Sequence, residues 1–121
     1  MRFMTIVKSR ETGAQPSPEL IDRINKLAED AVKQGAFGGM GGLGPTALGA
    51  KARLAKGKIT VTDGPFTEAK EVIGGYAIFN VKSKQEALAW TQRFLEAHIG
   101  LWEQDLEVEV RQMMDEPSKG C

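Results

Sequence analysis

Asp63, Gly64 and Pro65 interrupt a β-rich stretch and force the chain to turn. The aspartate can hydrogen-bond its own following backbone, a glycine accepts dihedrals that a Cβ would forbid, and proline fixes φ and removes a donor. On the near side, residues 51–55 and 58–62 flank Lys56-Gly57, a short hairpin signal, and Ile59 and Val61 alternate with lysine and threonine as in a half-buried strand. On the far side, residues 76–81 read as another strand, with Tyr76, Ile78 and Asn80 on one face and Ala77, Phe79 and Val81 on the other. A chain that turns this tightly between strands builds an antiparallel sheet, and the remaining elements must pack on it.

Those elements follow from hydrophobic periodicity. Phe3, Met4, Ile6 and Val7 form a nearly continuous apolar run, which suits a central first strand. Ser17-Pro18 is an N-cap and first-turn signal, after which Leu20, Ile24, Leu27, Ala28 and Ala31 recur at helical spacing until Gly35. Ser83 with Glu86 is a capping box opening a second helix, which buries either Leu88, Thr91 and Leu95 or the adjoining stripe of Ala87, Trp90 and Phe94. Leu106, Val108 and Val110 alternate with Glu107, Glu109 and Arg111 in a last strand. The predicted order is β-α-β-β-β-α-β, a split βαβ arrangement with an additional central strand. No internal repeat or linker divides the chain, so one domain over residues 1–121 is the expectation.

With 121 residues the chain can bury roughly two thirds of its unfolded surface, enough for one core without disulfide or metal support. Sixteen basic residues are balanced by sixteen acidic ones and interspersed with them, so neither nucleic acid nor an anionic membrane is an expected partner. Residues 1–7 are too short and polar for a signal sequence, and no apolar run approaches a membrane span. Cys121, at the last position, cannot form an internal disulfide. These features suit a reducing cytoplasm.

Two glycine motifs fail in context. Gly39 to Gly44 satisfies a dinucleotide-binding pattern, but that pattern needs a strand before it and a helix after it, the reverse of this arrangement. The stretch from Gly44 to Lys51 approaches a phosphate-binding loop, but its lysine is one residue late and no Ser or Thr follows. Residues 36–49 therefore read as a glycine-rich connection, long enough to serve as a lid over a pocket. His98 is the sole histidine, so no histidine-based metal cluster can be assembled, and no metal or cofactor is expected. At the end of the second helix its imidazolium would meet the helix dipole favourably, a structural role weighed against a catalytic one. Trp90 and Trp102 read as core and rim packing residues.

Asp63-Gly64-Pro65-Phe66, Glu68-Ala69-Lys70-Glu71 and Gly74-Gly75-Tyr76 together resemble the signature of the DGPF proteins, a branch of the YCII-related superfamily. Gly42-Leu43 with Pro45, Glu86 to Trp90, and Glu107 to Arg111 extend the resemblance over nearly the whole chain. It implies a ferredoxin-like α+β fold, an antiparallel sheet with helices on one face, usually paired into a dimeric α/β barrel, and it names no substrate. Some YCII-related proteins carry a histidine near the first strand that is associated with an aspartate; this chain has Thr5 and Lys8 there. Genes of the family often adjoin those of extracytoplasmic-function sigma factors, which implies a regulatory alternative.

The signature residues admit two readings. As structure, Asp63 caps the turn, Glu68 and Glu71 are solvated or paired with Lys70, and Gly74-Gly75 permits a kink. As function, Asp63 and Glu68 are candidates for proton transfer, with Lys70, Glu71, Gly75 and Tyr76 binding a ligand at the mouth of a cleft. Two helices cover one face of a sheet, so the other face calls for a second copy or a ligand, or, in a monomer, for the loop from Ala36 to Gly49 folded over it. The leading expectation is a homodimeric small-molecule-binding protein or enzyme, and the alternative is a sigma-factor-associated regulator.

Overall fold

The structure, a computed structural model, describes residues 1–114; the expectation for Cys121 lies outside them. In chain order the elements are β1 (Arg2–Ser9), α1 (Pro18–Lys33), β2 (Phe37–Gly42), a 3-10 turn (Thr46–Leu48), β3 (Ala50–Ala55), β4 (Lys58–Asp63), β5 (Val72–Asn80), α2 (Lys84–His98) and β6 (Glu107–Gln112). The main sheet is antiparallel with order β2-β5-β1-β6, while β3 and β4 form a separate two-stranded sheet. Removing that hairpin leaves βαββαβ, the ferredoxin-like α+β arrangement.

The helices begin where capping chemistry places them. Ser17 Oγ accepts from the Leu20 amide at 3.1 Å, with Pro18 in the first turn. Ser83 Oγ accepts from the Glu86 amide at 3.2 Å, while the Glu86 carboxylate reaches back to the Lys82 amide. Of the two stripes offered for α2, the core takes Ala87, Trp90 and Phe94 together with Thr91, and Leu88 stays exposed. Phe3 and Phe79 from the sheet and Val81 just after β5 pack against Leu27, Ala31, Ala87 and Trp90, with the Phe79 and Trp90 rings stacked at 5.8 Å. The helices run antiparallel, tied at one end by Arg93 to Asp30 (2.7 Å) and at the other by Arg23 to the Ala97 carbonyl (3.2 Å).

The sequence expectation differs from this fold in three elements: the two strands of the predicted hairpin, which lie outside the main sheet, and an added strand at residues 37–42. The additional central strand does not join the main sheet, because residues 37–42 take the place beside β5 as β2. Four glycines in six residues give no strand pattern, yet the glycines are what the position requires. A Cβ on Gly38 would lie 2.9 Å from Ile78 Cγ2, and one on Gly41 would lie 2.9 Å from Tyr76 Cε1. The two large side chains of β5 thus lie across the space that side chains on β2 would fill. The hairpin of β3 and β4 projects instead, and Lys56 and Gly57 both adopt positive φ, as a tight two-residue hairpin turn demands.

Register assigns the faces. Phe3, Thr5, Val7, Ala77 and Phe79 face the helices; Met4, Ile6, Tyr76 and Ile78 lie on the opposite face, where Tyr76 is exposed. Lys8, Glu107 and Glu109 share that second face, and Lys8 is 2.8 Å from Glu109 and 3.4 Å from Glu107. Among the described residues no helix is long and apolar enough to cross a membrane.

Candidate functional site

The signature turn holds three loops together. The Glu11 carboxylate, from the loop after β1, accepts from both the Thr46 amide and the Thr46 hydroxyl at 2.7 Å. That hydroxyl oxygen accepts in turn from the Phe66 amide at 3.0 Å, and the Gly64 amide donates to the Gly49 carbonyl at 2.9 Å. Thr46 is buried, and its hydroxyl and amide hydrogen bonds hold Glu11 below the ordinary carboxylate value. Gly64 does not take a positive φ. Its lack of a side chain serves close approach, since a Cβ there would penetrate the Thr46 carbonyl oxygen and lie 2.6 Å from the carbonyl carbon. The dihedral reason expected for this glycine is therefore replaced by a packing one.

Beyond the turn, Lys51 Nζ stands 4.5 Å over the Phe66 ring and 3.2 Å from Glu68. The partner of Glu68 is thus Lys51 rather than Lys70. Its own backbone N–H, and then Lys51, hold the Glu68 carboxyl below its ordinary value. Asp63, Lys70 and Glu71 are exposed. In the region of the first-strand histidine of some relatives, the Thr5 hydroxyl donates to the Ala77 carbonyl at 3.1 Å and Lys8 is engaged by Glu109.

A cavity of about 520 Å³ opens between the sheet and the helices. The solid core occupies the end of the sheet at Phe3 and Val81, and the cavity occupies the other end, where α1 begins and α2 finishes. Leu20, Ile24 and Leu27 of α1, Val7 and Val108 of the sheet, and Phe94 of α2 give it an apolar wall. The loop after β1 and the segment from Gly41 to Pro45 form its rim, so part of the glycine-rich connection does border a pocket. Gly75 lines it and Tyr76 borders it from a strand position whose side chain lies on the opposite sheet face, while Asp63, Glu68, Lys70 and Glu71 do not line it. Position in the fold explains the division. Gly75 and Tyr76 belong to β5, whereas the acids and the lysine lie before or at its entry.

His98 and Trp102 also line the cavity. His98 Nδ1 is 2.8 Å from the Phe94 carbonyl, and its ring is tilted against Phe94 and edge-on to Trp102 at 6.3 Å. Burial pushes the His98 imidazole below the ordinary histidine value, against the opposing pull of the Phe94 carbonyl. The imidazolium expected at this helix end is thus disfavoured. Trp102 Nε1 is buried with no hydrogen-bond partner among the described residues. Sequence reasoning missed Glu11, Thr46 and the role of Trp102 at the cavity; a lone Thr in a glycine-rich stretch carries no periodic signal. Among the described residues no group of three or more His, Cys, Asp or Glu side chains could hold a metal ion.

A family model described as YCII-related domain matches residues 1–113. A search of curated proteins finds no match.

Proposed function

The chain belongs to the YCII-related family, and from that premise we propose that it binds a small, largely apolar molecule in the cavity between sheet and helices. The observation that carries the reading is a space of about 520 Å³ with an apolar wall and few polar groups, in the size range of small-ligand sites. Thr5 and Thr91, the buried hydroxyls bordering it, already donate to the Ala77 and Ala87 carbonyls, so selection of a ligand falls to the rim side chains Ser9, Arg10, Thr12 and Gln15 and to His98 and Trp102. Methyl and amide NMR shifts during a fragment screen are the test. Hits should perturb Val7, Leu20, Ile24 and Val108, and Ala28→Phe, which fills the wall, should abolish them. Hits that map only to the hairpin or the exposed sheet face would sink the reading.

The same reading includes a homodimer. Met4, Ile6, Tyr76 and Ile78 give the helix-free face an apolar centre, and Leu54, Ile59 and Val61 of the hairpin are more than two thirds exposed at 72%, 75% and 68%. Pairing two copies through these surfaces, in the manner of a dimeric α/β barrel, would remove them from water. Sedimentation at micromolar concentration should give twice the mass of the chain, and Ile78→Lys should return it to the monomer. A monomeric native chain at that concentration removes the barrel. No feature of the described surface favours the sigma-factor alternative over ligand binding.

A further inference from the structure

We propose that the ligand of this cavity is an amphipathic monoanion, an apolar body carrying one carboxylate that stays at the mouth beside Arg10. The inference rests on the cavity being the binding site and names the chemistry of its ligand. Arg10 belongs to the loop after β1 that forms the rim, and among the described residues it is the one Lys or Arg that lines the cavity. It is exposed, and its guanidinium enters no ion pair or hydrogen bond among the described residues. The acid that follows it in the chain does not pair with it. Both Glu11 carboxylate oxygens are taken at 2.7 Å by the amide and hydroxyl of Thr46, which hold that side chain against the 3-10 turn.

An unpaired cation at the mouth of an apolar space sorts ligands by charge. Its attraction acts over several ångströms, so it requires no single point shared with the neighbouring Ser9, Thr12 and Gln15. Position at the rim also spares a carboxylate the cost of burial: the head keeps part of its hydration while the body fills the space beside Val7, Leu20 and Val108. The interior offers no cation in exchange, since burial pushes the His98 imidazole below its ordinary value and favours its neutral form. Glu11 sets the number of charges. A dianion such as a phosphate monoester finds one guanidinium to answer it and meets the fixed charge of the adjacent glutamate, whereas a single carboxylate matches the single cation.

Methyl NMR titration of the full chain with para-propylbenzoate, para-propylbenzamide, para-propylbenzylammonium and para-propylphenyl phosphate tests the assignment, since the four share one apolar body. The benzoate should bind roughly three- to tenfold more tightly than the neutral amide, the range between an exposed ion pair and a bidentate one. The ammonium should bind more weakly than the amide, and the phosphate no more tightly than the benzoate. Arg10→Gln should bring the benzoate down to the affinity of the amide and leave the amide unchanged, while Arg10→Lys should keep part of the preference. Equal affinities for benzoate and amide, tightest binding of the phosphate, or a benzoate preference that survives Arg10→Gln, with shifts at Val7 and Val108, overturn the anion site and leave the cavity standing. No shift at those methyl groups with any of the four overturns both.

Discussion

Gly64→Ala is expected to lower the stability of the protein by about 3 kcal/mol, through overpacking against a backbone that has no room to retreat. The new Cβ would meet the Thr46 carbonyl, and Thr46 is fixed from two sides by Glu11 and by the Phe66 amide. A flexible side chain could swing away from such a clash; a carbonyl within a 3-10 turn cannot move without breaking the hydrogen bonds of Leu48 and Gly49 to Pro45 and Thr46. For a chain of this size the melting temperature should fall by roughly 10 °C. Gly49→Ala is the control, because its Cβ would sit 3.7 Å from the same carbonyl oxygen and 3.8 Å from Phe66, ordinary contact distances. That variant should stay within about 0.5 kcal/mol of the native protein. Equal melting temperatures for the two variants would show that close approach at Gly64 is unimportant.

The outline of this fold was readable because its helices and central strands carry local signals. Ser17-Pro18 and Ser83 with Glu86 place helix starts whatever the tertiary context, and the alternation in residues 106–111 marks β6. β2 escaped for the opposite reason. Its glycines are selected by Ile78 and Tyr76, almost forty residues away in sequence, so the pattern exists only across the strand pair. The hairpin was recognised, but its place outside the main sheet was not, since two strands of good pattern do not say which edge they avoid. The site divides in the same way. The signature announces a turn and does build one, while Glu68 and Phe66 find their partners in Lys51 and Thr46, on other segments. The cavity is legible only once the start of α1 and the end of α2 are seen to face the same end of the sheet, beside His98 and Trp102.

Thr46→Val should be the second costly substitution, although it preserves shape. It deletes the hydroxyl that donates to Glu11 and accepts from Phe66, leaving the Phe66 amide without its acceptor and the carboxylate with the backbone bond alone. The expected loss is about 1–3 kcal/mol, and Thr46→Ser should recover most of it because the hydroxyl returns. Acid dependence separates this knot from general disruption. Glu11 is held below its ordinary value in the folded state, so its contribution is fully present above the unfolded glutamate value and is lost as pH falls through the folded one. Thr46→Val removes the largest cause of that depression, so the variant should show a shallower loss of stability on acidification than the native protein. His98 acts in a higher window: its folded value is also depressed, so stability declines as pH falls from the unfolded histidine value toward the folded one, and His98→Phe should flatten only that limb. Urea titrations at stepped pH resolve the two limbs. A Thr46→Val protein that is weaker at neutral pH yet loses stability in acid as steeply as the native chain would show that Glu11 is not the group the signature turn depends on.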